Sequence, residues 1–133
     1  MLATLFALSL AAAEPDIVVS RSAAIPSIER ILAADNLDIE ALSPREVAAA
    51  MAGIKRGAAP AAFWQAYQAH VRAWTSYADA IDAVAARPPG EPAPASAEWA
   101  VGTARTAINA TFDEVERQAR HQGARLPLPR TRL

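Results

Sequence analysis

The sequence contains no cysteine, only one lysine among its 13 basic residues, and only 5 glycines in 133 residues. The absence of cysteine excludes disulfide bonds, thiolate nucleophiles, zinc–thiolate sites, iron–sulfur clusters and covalently attached c-type haem. The few glycines form no phosphate-binding loop motif. A net charge of -1 argues against nucleic acid as a partner, because that affinity depends on many contacts between basic side chains and phosphates.

Alanine dominates what is present, with 35 alanines among the 133 residues. Alanine is the strongest helix former, and a hydrophobic fraction of 53% with 20% charged residues is typical of a folded chain rather than a disordered one. The length suits one small domain. The bias toward alanine and arginine is that of a GC-rich bacterial genome, so we expect a bacterial protein.

An uncharged run, LATLFALSLAAA, occupies residues 2–13 and ends in small residues before Glu14. It is too short to cross a bilayer as a helix, but it matches the apolar core and cleavage site of a secretory signal peptide. We therefore predict a signal peptide over residues 1–13, cleavage after Ala13, and a periplasmic or secreted protein. No lysine or arginine precedes the run, so the n-region is minimal or the start codon lies upstream; the alternative is a buried apolar helix.

The segment before the main helices gives weaker signals. We predict an extended arm over residues 14–26, because its β-branched run has no second strand to pair with. Ser27 is expected to cap a short helix that ends near residue 36, and residues 38–42 to form a turn or a single helical turn. Ser43-Pro44-Arg45-Glu46 is a capping-box sequence with proline at the first helical position, and predicts a helix that runs to Arg56 with Gly57 as its cap.

Two long amphipathic helices follow. Apolar residues recur every three or four positions from Pro60 to about Arg87, and again from about Ser96 to Gln122, on either side of a Pro/Ala linker at residues 87–96. The short linker predicts that the helices pair antiparallel. The fold class is therefore all-α: a small bundle of three to four helices around a long antiparallel hairpin, with the helical domain at 27–123 and a basic, proline-containing tail at 124–133.

An aromatic cluster lies on the first long helix and is the candidate contact site for a ligand or partner. Its members share neighbouring faces of that helix and fill much of the core of so alanine-rich a protein. The alternative is plain core packing. Trp64 lies at the edge of the stripe, so we expect it to be partly exposed. The candidate contact residues are Trp64, Tyr67, His70, Trp74 and Tyr77.

Histidine and methionine are the remaining candidate ligands. Neither His70 nor His121 has an acid or second histidine three or four residues on, so we expect no metal site and no resident cofactor. Met51 and His121 resemble the axial pair of small exported four-helix b-type cytochromes, and the resemblance covers those two residues and the helix count. It implies the alternative that the bundle carries b-type haem or a small apolar ligand through His70, Met51 or His121.

Carboxylate pairs occur at Asp79 with Asp82 and at Asp113 with Glu116, on polar helix faces. Acid–base chemistry requires one carboxylate of a pair in an apolar pocket, so we interpret these pairs as solvated faces. Asp113 with Arg117, and Glu116 with Arg120, have the i,i+4 spacing of ion pairs. No nucleophile motif is present, and we predict that the protein is not an enzyme.

The C-terminal tail is basic, with no acid after Glu116. We predict weak docking of Arg125, Arg130 and Arg132 on an anionic membrane surface, the alternative being a frayed, solubilising terminus. Taken together, the sequence predicts a non-enzymatic binding or scaffolding protein of the bacterial cell envelope. Its expected partner is an unknown envelope protein or a second copy of the chain.

Overall fold

The computed structural model describes the backbone of residues 13–127 and 133, and the side chains of residues 23–127 and 133. It contains four helices, α1 (Ala13–Ala34), α2 (Pro44–Ala52), α3 (Ala61–Ala85) and α4 (Ala95–His121), and these ranges contain no β-strand. The prediction of an all-α bundle is therefore confirmed. The predicted signal peptide lies, apart from Ala13, outside the described residues.

Helix α1 corrects two predictions. Residues 14–26 are helical rather than extended, and the helix continues through Pro26 without interruption. Although an internal proline removes one backbone hydrogen bond, the last turns of α1 pack tightly, with Ile28 and Ile31 fully buried. Ser27 does not cap a helix, because its Oγ instead accepts a hydrogen bond from the N–H of Ala58 at 3.0 Å.

Helix α2 begins as the sequence predicts and ends earlier. The Ser43 Oγ accepts a hydrogen bond from the Glu46 N–H at 3.1 Å, and the Glu46 carboxylate accepts one from the Ser43 N–H at 3.3 Å. The predicted end at Arg56 is wrong, since the helix stops at Ala52 with Gly53 as its cap.

The chain after α2 forms a loop because α1 holds its backbone. The Arg30 guanidinium donates a hydrogen bond to the Lys55 carbonyl at 2.7 Å, and Ser27 accepts from Ala58. Gly57 adopts φ +58, and a Cβ at this position would lie 2.9 Å from the Arg30 Nη2 atom. The loop therefore requires glycine at residue 57, and no helix can run through it.

Helices α3 and α4 form the predicted antiparallel hairpin. The mid-helix contact between His70 and Thr111 sets their relative height, and the linker at residues 86–94 joins them at one end. Within the linker, the Arg87 guanidinium donates to the Pro92 carbonyl at 2.6 Å. Side chains from all four helices pack into one core, with these members fully or almost fully buried: Ile28, Ile31, Leu32, Val47, Met51, Phe63, Tyr67, Val115 and Ala119.

Candidate binding groove

The aromatic cluster predicted from the sequence belongs mostly to the core. Tyr67, Trp74 and Tyr77 are buried, with exposed fractions of 0%, 6% and 7%. Trp64 is partly exposed, as expected, and its ring stacks on Tyr67 with centroids 5.6 Å apart. A surface partner can therefore reach Trp64, whereas the other three aromatic side chains hold the helices together.

His70 is also a core residue, with an exposed fraction of 2%. Its Nδ1 atom lies 2.8 Å from the Thr111 Oγ1. The Thr111 hydroxyl also donates to the Ala107 carbonyl at 2.7 Å, so it links the His70 ring to the backbone of α4. The hydrogen bond between His70 and Thr111 joins the middle of α3 to the middle of α4.

A second buried polar contact involves a carboxylate. Asp35, at the end of α1, has an exposed fraction of 1%, and it accepts a hydrogen bond from the Tyr67 hydroxyl at 3.3 Å. The sequence pattern alone did not indicate that Asp35 is buried. Buried polar groups need partners, so this bond and the one at His70 specify how α1, α3 and α4 pack.

The residues suggested for haem ligation lie in unlike surroundings. Met51 is buried in the core with an exposed fraction of 1%, and His121 is exposed at the last turn of α4. Within residues 23–127 and 133, no group of three or more His, Cys, Asp or Glu side chains could hold a metal ion. Haem or ligand binding through His70, Met51 or His121 stays a prediction.

Asp79 and Asp82 are exposed, as expected, and they also join two helices. The Arg45 guanidinium of α2 lies 2.6 Å from the Asp79 carboxylate and 2.9 Å from that of Asp82. The hydrogen bond from Arg45 to Asp79 raises the pKa of Arg45 above its ordinary value, and the hydrogen bond to Asp82 raises it further. The three charges therefore form a bridge between α2 and α3 that spacing along one helix could not reveal.

The carboxylates of α4 pair locally. Glu116 accepts a hydrogen bond from the Arg120 guanidinium at 3.1 Å, which confirms the predicted i,i+4 pair. Arg117 contacts Glu114, at i,i+3 spacing. These are surface ion pairs of the kind that contribute little to stability.

The first residues of the C-terminal tail contact α1. The Arg125 N–H donates to the Glu29 carboxylate at 3.0 Å, while the Arg125 side chain is exposed. Arg130 and Arg132 lie outside the described residues. Docking of the three arginines on an anionic membrane surface stays a prediction.

An open groove runs between α3 and α4, and we call it the alanine groove. It encloses about 460 Å³, and its walls are small side chains except at Arg72 and Trp99. Trp99 has an exposed fraction of 72%, the largest of the exposed large hydrophobic residues described. The lining residues are Ala69, Arg72, Ala73, Ser76 and Ala80 of α3, with Trp99, Ala100, Thr103, Ala104, Ala107 and Thr111 of α4.

Sequence reasoning missed this surface. The apolar stripe of α4 follows Ala104, Ile108 and Val115, all buried, and Trp99 falls outside it. An indole off the apolar stripe of an amphipathic helix was the available signal. The alanines gave none, because in this sequence alanine occurs on every helix face.

A larger opening of about 760 Å³ lies where α1 meets the loop before α3. Its walls include Ile25, Arg56 and the main chain of residues 57–61, and Arg56 donates to the Ala59 carbonyl at 2.9 Å. No aromatic side chain faces this cleft. The alanine groove is the stronger candidate because a tryptophan stands at its rim.

The fold and groove define an all-α helical bundle with an apolar groove between α3 and α4. Comparisons of the chain with protein-family models, with curated proteins and with solved structures find no match. Over the described part of the chain, no helix combines the length and the apolar character needed to cross a membrane.

Proposed function

We propose that the protein is a non-enzymatic binding or scaffolding module of the bacterial cell envelope that engages a protein partner through the alanine groove. The observation that carries this proposal is the exposure of Trp99 beside a row of small side chains. A large exposed indole costs solvation free energy, and tryptophan is enriched among the residues that dominate binding energy at interfaces.

The shape of the groove supports a helical partner. Between Ala69 and Ala80 the α3 wall is about 17 Å long at 1.5 Å rise per residue, which matches roughly three turns of a partner helix. Small wall residues allow another helix to approach closely, as in helix-in-groove recognition. The partner would present large apolar side chains to fill the space that alanine leaves.

We also propose that the protein has no catalytic activity, because its buried polar side chains make hydrogen bonds inside the core. The buried ones, Asp35 and His70, bond to Tyr67 and Thr111 inside the core. In the groove, the Thr111 hydroxyl is committed to a backbone carbonyl. The alternative function, carriage of an apolar ligand or haem, stays a prediction that no observation tests.

A single-cysteine experiment tests the groove, because the chain has no cysteine of its own. Thr103→Cys places a thiol in the groove and Arg105→Cys places one on an exposed position of the same helix outside it. After labelling with a maleimide photo-cross-linker in the periplasm, we expect one discrete adduct from residue 103 and none from residue 105.

Adding Trp99→Ser to the Thr103→Cys variant is expected to reduce the adduct about tenfold, since truncation of a central interface tryptophan costs 1 kcal/mol or more. Equal adducts from residues 103 and 105, or an adduct that survives Trp99→Ser, would contradict a binding role for the groove.

Export is the other part of the proposal. If residues 1–13 are a signal peptide, the chain expressed with a C-terminal tag is recovered from the periplasm as a mature species that begins at Glu14. Intact-mass measurement of the purified protein checks this result, with an Ala11→Arg, Ala13→Arg variant as the control that blocks cleavage. A cytoplasmic species that retains Met1 would refute export.

A further inference from the structure

We propose that the partner of the alanine groove is a second copy of this chain, so that two α3–α4 hairpins stack face to face as a symmetric four-helix bundle. This inference rests on the proposed binding role of the groove. It is carried by the register of the hairpin, the size of its open face and the charges on that face.

The first argument is symmetry. α3 and α4 run antiparallel within one chain, so a two-fold axis parallel to the helices places α3 of one copy against α4 of the other. Each helix then has only antiparallel neighbours, the arrangement of up-down four-helix bundles. An interface of this kind is isologous and closes at two copies.

The second argument is the fit between the large side chain of Trp99 and the small side chain that faces it in the second copy. His70 lies opposite Thr111, so Trp99 lies close to the height of Ala80, near the linker end of the hairpin. The proposed axis preserves height, and therefore sets Trp99 of each copy against Ala80 of the other copy. A large indole on this face therefore meets a small alanine, which is the complementarity that close packing requires.

The third argument is area. Helices of 25 and 27 residues are each roughly 40 Å long and about 10 Å wide. Their common open face therefore covers about 800 Å², the area that one partner contributes to a stable interface of standard size. The groove by itself is smaller than this, but exposed Ala62 lies on the same side of α3 beyond the groove, and exposed Ala110 flanks the groove on α4.

The fourth argument is charge. Arg72 is exposed in the groove wall and makes no ion pair or hydrogen bond with any other residue of the described ranges. Glu114, which also contacts Arg117 and accepts a hydrogen bond from Gln118 at 2.9 Å, lies on the same stripe of α4 as Ala107 and Thr111. By the register set at His70, Glu114 of the second copy lies about 8 Å along the axis from Arg72, a span that an arginine side chain covers. The pair occurs twice in the dimer and fixes its register.

Sedimentation equilibrium of the full chain without its predicted signal peptide tests the dimer at about 1–100 μM, the affinity range expected for an interface of this size with few large side chains. We expect a mass twice that of the chain. Trp99→Ser and Arg72→Glu should each raise the dimer dissociation constant about tenfold or more. Arg105→Glu is the matched control, because it reverses an exposed charge of α4 that does not line the groove.

The charge swap provides the most specific test. Glu114→Arg should weaken the dimer as Arg72→Glu does, and the double variant should return the dissociation constant to near that of the parent chain. Failure of the double variant to recover contradicts the proposed register. Circular dichroism confirms that each variant keeps its helix content, so loss of the dimer is not mistaken for unfolding.

The outcomes separate this inference from the proposed function. A chain that remains monomeric at the highest concentration overturns the self-pairing, and so does a dimer that neither Trp99→Ser nor Arg72→Glu weakens. The cross-linked adduct from Thr103→Cys reports independently. A mass of two chains supports the inference, whereas an adduct with a different protein rejects it and leaves the groove as a binding surface.

Discussion

Trp74→Ala is expected to lower the free energy of unfolding by about 3–5 kcal/mol, the cost of deleting a large aromatic side chain from a packed core. Trp74 has an exposed fraction of 6%, and its ring meets Tyr77 edge-to-face with centroids 5.9 Å apart. The effect is large because alanine supplies most of the helix surface, so few large side chains fill the core. A domain of this size has only about 5–15 kcal/mol of stability in total.

Trp99→Ala is the matched control, because it makes the same chemical change at a position with an exposed fraction of 72%. We expect it to change the free energy of unfolding by less than about 0.5 kcal/mol. Urea denaturation followed by circular dichroism at 222 nm measures both variants, at concentrations where each is monomeric. Equal losses for the two tryptophans would show that Trp74 does not occupy the core as described.

Asp35→Ala is expected to lower the free energy of unfolding by about 1–3 kcal/mol, because it removes a buried carboxylate that accepts a hydrogen bond from the Tyr67 hydroxyl. Asp35 and Tyr67 are 1% and 0% exposed, so water cannot readily replace the lost carboxylate. Asp35→Asn retains an oxygen acceptor and should cost less than Asp35→Ala. Asp38→Asn is a useful contrast, since Asp38 is an exposed residue that accepts only local backbone hydrogen bonds.

A double-mutant cycle with Tyr67→Phe isolates the contact between the two side chains. If the hydrogen bond joins α1 to α3, the coupling free energy between Asp35→Ala and Tyr67→Phe falls at about 0.5–3 kcal/mol. Strictly additive losses would mean that the bond does not contribute to stability. Thermal unfolding, monitored by circular dichroism for the four members of the cycle, supplies an independent measurement.

The sequence predicted correctly the elements that form through contacts between residues close together in the chain. The capping box at Ser43 and Glu46 formed as expected, since both partners lie within one turn and need no tertiary contact. The two long helices fell within one or two residues of their predicted ends, because Pro60 and the Pro/Ala linker interrupt helix formation in any context. The core positions of α3 followed from the 3.6-residue period.

Predictions from the sequence were wrong or incomplete where contacts with residues distant in the chain determine the structure. The end of α2 depends on Ser27 and Arg30 of α1, which hold the following loop. Residues 14–26 are helical despite Pro26, which as a lone signal favours a break. Arg45 reaches Asp79 and Asp82 only because α2 packs against the C-terminal half of α3.

The candidate site shows the same division. The sequence predicted an aromatic contact surface on α3, and most of that surface became core once α1, α2 and α4 covered it. It predicted nothing at the face that stays open, since alanine is compatible equally with a core, a surface and an interface. Only the packing of helices α1 and α2 against the opposite side of the hairpin leaves the alanine groove uncovered.

The sequence by itself determined that this chain lacks cysteine chemistry, that α3 and α4 are long amphipathic helices and that their apolar stripes face the core. Those properties follow from composition and from periods of three and four residues, which act within a single helix. The tertiary structure decided that Asp35 and His70 are buried, that Arg45 bridges two helices and that Trp99 stands at the rim of a groove. Each of these depends on which faces meet, and contacts between helices distant in sequence determine that.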